Sequence, residues 1–244
     1  MGPNKEQLIA EILDQTQNQD ISATLQWLAL RFAGKTVFSS SLGLEDQVIS
    51  HLIYDNELPI DQFTLDTGRL FSETYALMER MQAKYGRRIK VYFPQHDAVE
   101  QLVNEKGPNS FYSSVENRKA CCHIRKVEPL DRALEGKACW ITGIRADQSA
   151  GRSNLSMVEW DDAHGLVKVH PLLYWTLDEV KDFIAIHQVS YNPLHDRGFG
   201  SIGCAPCTRA IRPGEDIRAG RWWWEQNSGK ECGLHVQQER INQA

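Results

Sequence analysis

Five of the six cysteines stand where chemistry explains them better than packing does. Cys121 and Cys122 are adjacent, Cys204 and Cys207 form a C-x-x-C, and Cys232 lies alone in Glu-Cys-Gly-Leu-His. Soft thiolates select iron-sulfur clusters, zinc or Cu(I), so four cysteines gathered by a fold point to a metal site. Zinc knuckles use spaced C-x(2-4)-C pairs, which two neighbouring cysteines fit poorly. A 4Fe-4S cube takes neighbouring thiolates on different corners, and the spacing therefore ranks iron-sulfur above zinc. The two pairs are far apart in the chain, so their meeting is a tertiary expectation. The plain alternative is that they are small buried hydrophobes, which is the reading for Cys139 in the apolar stretch Ala138-Cys139-Trp140-Ile141.

Cys232 needs its own account. An unperturbed thiol with pKa about 8.5 is only a few per cent thiolate at neutral pH, so a nucleophilic role requires positive charge beside it. His235, Arg218 and Arg221 are the candidates, and a stray tail cysteine is the alternative. Lys126 follows Cys122 by four residues; on a helix the two share a face, where the ammonium offsets cluster charge and reaches a bound anion. Otherwise it is an exposed helix lysine.

The elements that must position these groups alternate. Helical patterns over residues 6–17 and 21–32, the second capped by Asp20 or Ser22, precede a buried strand at 35–40 and a helix at 45–56. Strand, helix, strand, helix then follow at 60–65, 71–85, 89–93 and 98–105. This alternation predicts an α/β fold, a mostly parallel, doubly wound sheet with helices on both faces. A less regular region holds the cysteine pair, another strand covers 137–142, and a hairpin pairs 155–160 with 166–170. A last helix runs over 176–188, with Thr176 and Glu179 fit for a capping box. Residues 1–225 read as one domain, anchored near its end by Trp222-Trp223-Trp224. Residues 226–244, which carry Cys232, read as a mobile tail.

In such sheets, anions bind where strand ends meet helix N-termini, because free amides and the helix dipole point there. Three junctions qualify. The first contains Ser40, Ser41, Gly43, Glu45 and Asp46; it lacks the G-x-x-x-x-G-K-[ST] of a Walker loop, and alone it equally suits a serine-rich turn. The second contains Asp66, Thr67, Gly68 and Arg69. The third contains Arg145, Asp147, Gln148 and Arg152. Three such loops, two of them supplying arginine, favour an anionic nucleotide over solvated turns.

The bulk properties narrow the class. A chain of 244 residues with 41% hydrophobic and 24% charged residues buries a core without cross-links. Its formal net charge of -5 argues against a protein that coats nucleic acid. The N-terminal residues lack the apolar core of a secretion signal, and no long apolar run suits a bilayer. A cytoplasmic protein with reduced thiols is expected.

Six ordered motifs, SSSLGLED, LDTGRL, CCHIRK, GIRADQS, GCAPC and ECGLH, make the chain resemble the assimilatory adenylyl-sulfate reductases, the cluster-bearing branch of the adenylyl-sulfate and phosphoadenylyl-sulfate reductase family. The resemblance implies an adenine-nucleotide alpha hydrolase-like fold and reduction of adenylyl sulfate (APS) by thioredoxin to sulfite and AMP. It assigns Cys121, Cys122, Cys204 and Cys207 as ligands of a 4Fe-4S cluster and Cys232 as the nucleophile. By the same matching, the SSSLGLED loop holds phosphate, and Asp66 to Arg69 lie beside the adenosine. Arg145 to Arg152 form an arginine loop, and Lys126, Arg218, Arg221 and His235 hold the phosphosulfate. The triple serine is shared with the cluster-free branch that uses phosphoadenylyl sulfate (PAPS), whereas the cysteine quartet favours APS. A PP-loop tRNA-thiolation ATPase would need Ser-Gly-Gly-x-Asp-Ser after the first strand. A zinc-bearing nucleic-acid module would need a basic surface. A homo-oligomer is compatible with the sequence.

Overall fold

The computed structural model describes residues 4–149, 152 and 154–225; Cys232 and His235, with the rest of the expected tail, lie outside the described residues. Two helices, α1 (Lys5–Thr16) and α2 (Ile21–Arg31), precede β1 (Thr36–Ser39), α3 (Leu44–Asp55), β2 (Asp61–Leu65), α4 (Ser72–Tyr85), β3 (Lys90–Tyr92) and α5 (His96–Lys106). The second half contains α6 (Val115–Cys122), α7 (Glu128–Leu134), β4 (Cys139–Thr142), β5 (Val158–Asp161), β6 (Leu166–Val169) and α8 (Leu177–Ile186).

The strands form one sheet in the order β3-β2-β1-β4-β6-β5. Every pairing is parallel except that of β5 with β6. Chain order reverses direction between β1 and β4, so the loops after these strands diverge and leave a crevice at their carboxyl ends. Side chains alternate across the sheet. Phe38, Cys139, Ile141, Val167 and Val169 join the larger core with Leu25, Leu28, Val48, Ile49 and Val180. On the other face Val37, Phe63, Trp140 and Leu166 pack against Leu130, Ala133 and Leu134 of α7. Both faces are covered, as the continuous apolar strands predict. Cys139 is fully buried within the larger core.

Local signals hold where they are chemical. Asp20 caps α2 by accepting from the Ala23 amide at 2.8 Å, and Thr176 and Glu179 form the predicted capping box on α8. The tryptophan triplet is less uniform than expected: Trp222 is fully buried, whereas Trp223 is exposed. The cysteine pair does not lie in irregular chain. It ends α6, and a π-helical turn over His123–Val127 leads straight into α7. Pro129 supplies the reason: it has no N–H to offer the Arg125 carbonyl and its ring crowds that oxygen, so the backbone widens its turn. The Glu128 amide reaches back five residues to the His123 carbonyl. Among the described residues no helix is long and apolar enough to cross a membrane.

Candidate active site

A cleft of about 210 Å³ opens at the carboxyl ends of β1 and β4. Its first wall is the β1–α3 loop. Leu42 adopts φ 63, a left-handed conformation that a branched side chain rarely accepts, and its amide bonds Ser40 Oγ at 3.1 Å. Gly43 is the N-cap of α3 and lines the cleft with Ser40, Ser41, Glu45 and Asp46. Asp46 accepts from the Ser41 amide at 2.5 Å and from Ser41 Oγ at 2.7 Å. Burial, with a smaller push from the Glu45 charge, drives its carboxyl up to about 6 against those hydrogen bonds.

The third junction divides its work. Gly143, Ile144, Gln148 and Arg152 line the cleft. Arg145 does not; 1% exposed, it binds Glu45 through Nε at 2.8 Å, pairs with Asp147 and bonds the Trp175 carbonyl. Asp147 is likewise turned to Arg145, so these two hold Glu45 in place. Gly143, the first residue of GIRADQS, meets a constraint that the motif does not reveal: a Cβ there would stand 2.1 Å from Asp46 Oδ1. Only glycine lets β4 approach the α3 N-terminus this closely.

The second junction faces the cysteines. Asp66 accepts from the Gly68 amide at 2.8 Å and from the Tyr75 hydroxyl at 3.0 Å. Thr67 Oγ1 lies 3.2 Å from Cys204 Sγ, and the Ala205 amide bonds the Arg69 carbonyl at 2.8 Å. The Arg69 side chain reaches Asn109 Oδ1 at 2.9 Å and lies over the Phe111 ring. Of this loop Thr67 alone lines the cleft among the sequence-predicted residues; Asp66, Gly68 and Arg69 build its join to the cysteine segment.

Cys121, Cys122, Cys204 and Cys207 line one small cavity behind that wall, with Arg125, Lys126 and Arg221. None of the four is in a disulfide. Burial pushes Cys207 up to about 12 and raises Cys121 as well, the latter opposed by Arg125. Among the described residues no three His, Cys, Asp or Glu side chains are grouped to hold a single metal ion. What fits a metal group here is the donor set: four soft thiols around one cavity, bordered by cations that balance thiolate charge. Arg125 was not visible as a site residue in the sequence. It is buried, donates to the Thr67 carbonyl at 2.6 Å, and its Nε has no partner among the described residues.

The two cavities share Lys126, Cys204 and Arg221. Arg221 lies flat against Gly203, where a Cβ would stand 2.4 Å from its guanidinium. It also stacks on Trp222 at 4.8 Å. With Arg152 and Arg218, Lys126 and Arg221 bring four basic side chains to the cleft lining. His195 is a further lining residue that no motif marks. Its Nδ1 meets the Phe199 carbonyl at 2.8 Å, and its buried Nε2 has no partner among the described residues.

The profile of the phosphoadenosine phosphosulfate reductase domain matches residues 35–210, most of the chain and all three strand-end loops of this cleft, while Arg218 and Arg221 lie beyond the matched span. The chain belongs to that reductase family. A relative from Allochromatium vinosum, named adenosine 5'-phosphosulfate reductase, is 55% identical over 199 residues, 82% of this chain and 78% of its own. One of the same name from Burkholderia cepacia is 52% identical, covering 83% of this chain and 81% of its own. The crystal structure of phosphoadenylyl-sulfate reductase from Candida auris, in complex with phosphate, superposes with a TM-score of 0.73 at 26% identity, covering 86% of this chain and 99% of the other. The fold and membership expected from the six motifs are therefore borne out. The chain is acidic overall, yet Lys126, Arg152, Arg218 and Arg221 all line this cleft.

Proposed function

We propose that the protein reduces adenosine 5'-phosphosulfate to sulfite and AMP, through an S-sulfocysteine on Cys232 and with thioredoxin as reductant. The observation that carries this reading is the shared wall of Lys126 and Arg221 between a switch-point cleft and a four-cysteine cavity. Relatives more than half identical that bear the adenosine 5'-phosphosulfate reductase name point the same way. In this reading the nucleotide lies across the β1 and β4 ends, and Lys126, Arg152, Arg218 and Arg221 face its phosphosulfate.

The Cys232 thiolate attacks the sulfate sulfur as the S–O bond to the phosphate breaks, and AMP leaves with that electron pair. An anion attacking an anion is repelled, so the fixed cations lower the barrier as charge shifts to the leaving phosphate. His235 is assigned to the same task beside Cys232. A thioredoxin thiolate then attacks the Cys232 sulfur and releases sulfite. The second thioredoxin thiol closes a disulfide on the first, returning Cys232 as thiolate and supplying the two electrons.

Cys121, Cys122, Cys204 and Cys207 are the residues that would hold a 4Fe-4S cluster. When bound it supplies a fixed charge centre and a cross-link between α6 and the 204–207 turn, without carrying electrons in the steps above. Incubation with APS is expected to add one sulfonate, about 80 Da in the covalent-intermediate picture, to wild type and none to Cys232→Ser. Thioredoxin should then remove it as sulfite. Adduct on the Cys232→Ser chain overturns the nucleophile, and faster turnover of PAPS than of APS overturns the substrate. Anaerobically purified protein should be brown; colourless protein with stoichiometric zinc overturns the cluster.

A further inference from the structure

A row of polar side chains runs from the cleft floor into the sheet, and the chemistry above does not use it. Thr142 ends β4 beside Ser39 of β1 and lines the cleft although only 2% exposed. The parallel register Ile141↔Val169 places His170 next to Thr142 across the following pair. Thr142 Oγ1 lies 2.6 Å from His170 Nδ1, and His170 Nε2 lies 3.5 Å from Glu159 Oε2 on the outer strand β5.

The proton positions along this row follow from its far end. Burial alone would raise Glu159, but hydrogen bonds from His170 and the Ser156 amide, with the Lys168 charge, outweigh it and hold the carboxyl below its usual range. Glu159 is therefore an acceptor only. His170 is completely buried, and burial, aided by the nearby Lys168 and Arg152 charges, pushes it down against the pull of Glu159. A neutral imidazole facing a carboxylate keeps its single N–H on that side, at Nε2, so Nδ1 is bare. The Thr142 hydroxyl must then donate its one proton to Nδ1. Its remaining lone pairs can only accept.

We propose that Thr142 is a specificity residue for the nucleoside half of the ligand: held by His170 and Glu159, its hydroxyl accepts a hydrogen bond from a ribose hydroxyl or the adenine amino group. His170 and Glu159 are positioning residues that fix the direction of this bond. The inference rests on the reading of the cleft as an adenine-nucleotide site.

The test is calorimetry on the full chain with AMP as the probe, beside 2'-deoxy-AMP, 3'-deoxy-AMP and purine riboside 5'-monophosphate, each lacking one donor. Thr142→Val should weaken AMP binding about five- to ten-fold, the worth of one hydrogen bond, and Thr142→Ser should restore it. One of the three analogues should bind wild type and Thr142→Val equally, and that analogue names the donor. Glu159→Gln frees the imidazole to turn its proton toward Thr142 and should weaken AMP with the same analogue pattern, a selectivity that general loosening of the fold does not produce. Unchanged AMP affinity in Thr142→Val overturns the proposal. So does an equal further loss with all three analogues. Wild-type protein that binds no AMP removes the nucleotide reading itself, whereas wild-type binding indifferent to Thr142 removes this inference alone.

Discussion

Asp46 concentrates the tension of the site at one carboxyl. It sits under the α3 N-terminus, where a negative charge is welcome, yet it is 6% exposed. Burial dominates and lifts it to about 6. The sign of the consequence follows: a folded-state pKa above the unfolded one favours the folded protein most when Asp46 is protonated. That contribution is complete below about pH 4, the unfolded carboxyl range, and is lost as pH rises through about 6. Its size is at most about 3 kcal/mol. Asp46→Asn keeps an acceptor for Ser41 and never ionises, so its stability should change less between these pH values. Urea denaturation of both proteins across that range checks this, and parallel curves refute it. The serines, Gly43 and Asp46 were legible in the sequence because a strand-to-helix junction announces them. His195 was not, and GIRADQS marked Gly143 without its reason, since the importance of both lies in what the fold brings against them. Arg145 illustrates the converse. Its type and loop place it among the cleft cations, but the distant Glu45 commits it to a buried pair.

At the scale of elements, α6 ties three parts of the molecule together: the cysteine pair at its end, the α7 face of the sheet, and the segment 222–225. The last tie is a bidentate pair, Arg118 to Glu225 at 2.6 and 3.0 Å, with side chains only 3% and 7% exposed. Arg118 also stacks over Trp222 at 4.7 Å. Removing one partner strands a buried charge, so Arg118→Ala and Glu225→Ala should each cost about 3–5 kcal/mol. The double variant should cost far less than the two together, because no lone charge remains. Additive losses in denaturant titrations would show that the pair is not coupled. Strands and helices were legible to within a few residues because their apolar periods are clean. The helical run through the cysteines was hidden by its polar, cysteine-rich sequence and by Pro129. In context that proline widens one turn without ending the helix.

For the whole molecule the decisive feature is the contrast between net charge and local charge. The chain has 32 acidic and 27 basic residues, yet Lys126, Arg152, Arg218 and Arg221 converge on one cleft. The strand ends alone do not produce this convergence: Arg152 follows β4, whereas Lys126 comes from the π-helical turn and Arg218 and Arg221 from the segment after the C-x-x-C, which packs against the second strand-end loop through the Ala205 amide and the Arg69 carbonyl. On the proposed reading of the cleft, these cations attract an anionic nucleotide over roughly a Debye length, about 10 Å at 0.1 M salt. The KM for APS should accordingly rise several-fold as sodium chloride goes from about 20 to about 300 mM, with kcat little changed, since screening weakens capture more than contact. AMP affinity should follow the same slope, and uncharged adenosine should be nearly indifferent. The control separates steering from general salt effects on the fold, which would move all three ligands together. Charge reversal at a single cleft cation, Arg218→Glu, should flatten the slope for APS while leaving that for adenosine unchanged. If APS capture proves insensitive to salt in wild type, the cations act only at contact distance, and the acidic remainder of the surface plays no part in guiding the substrate.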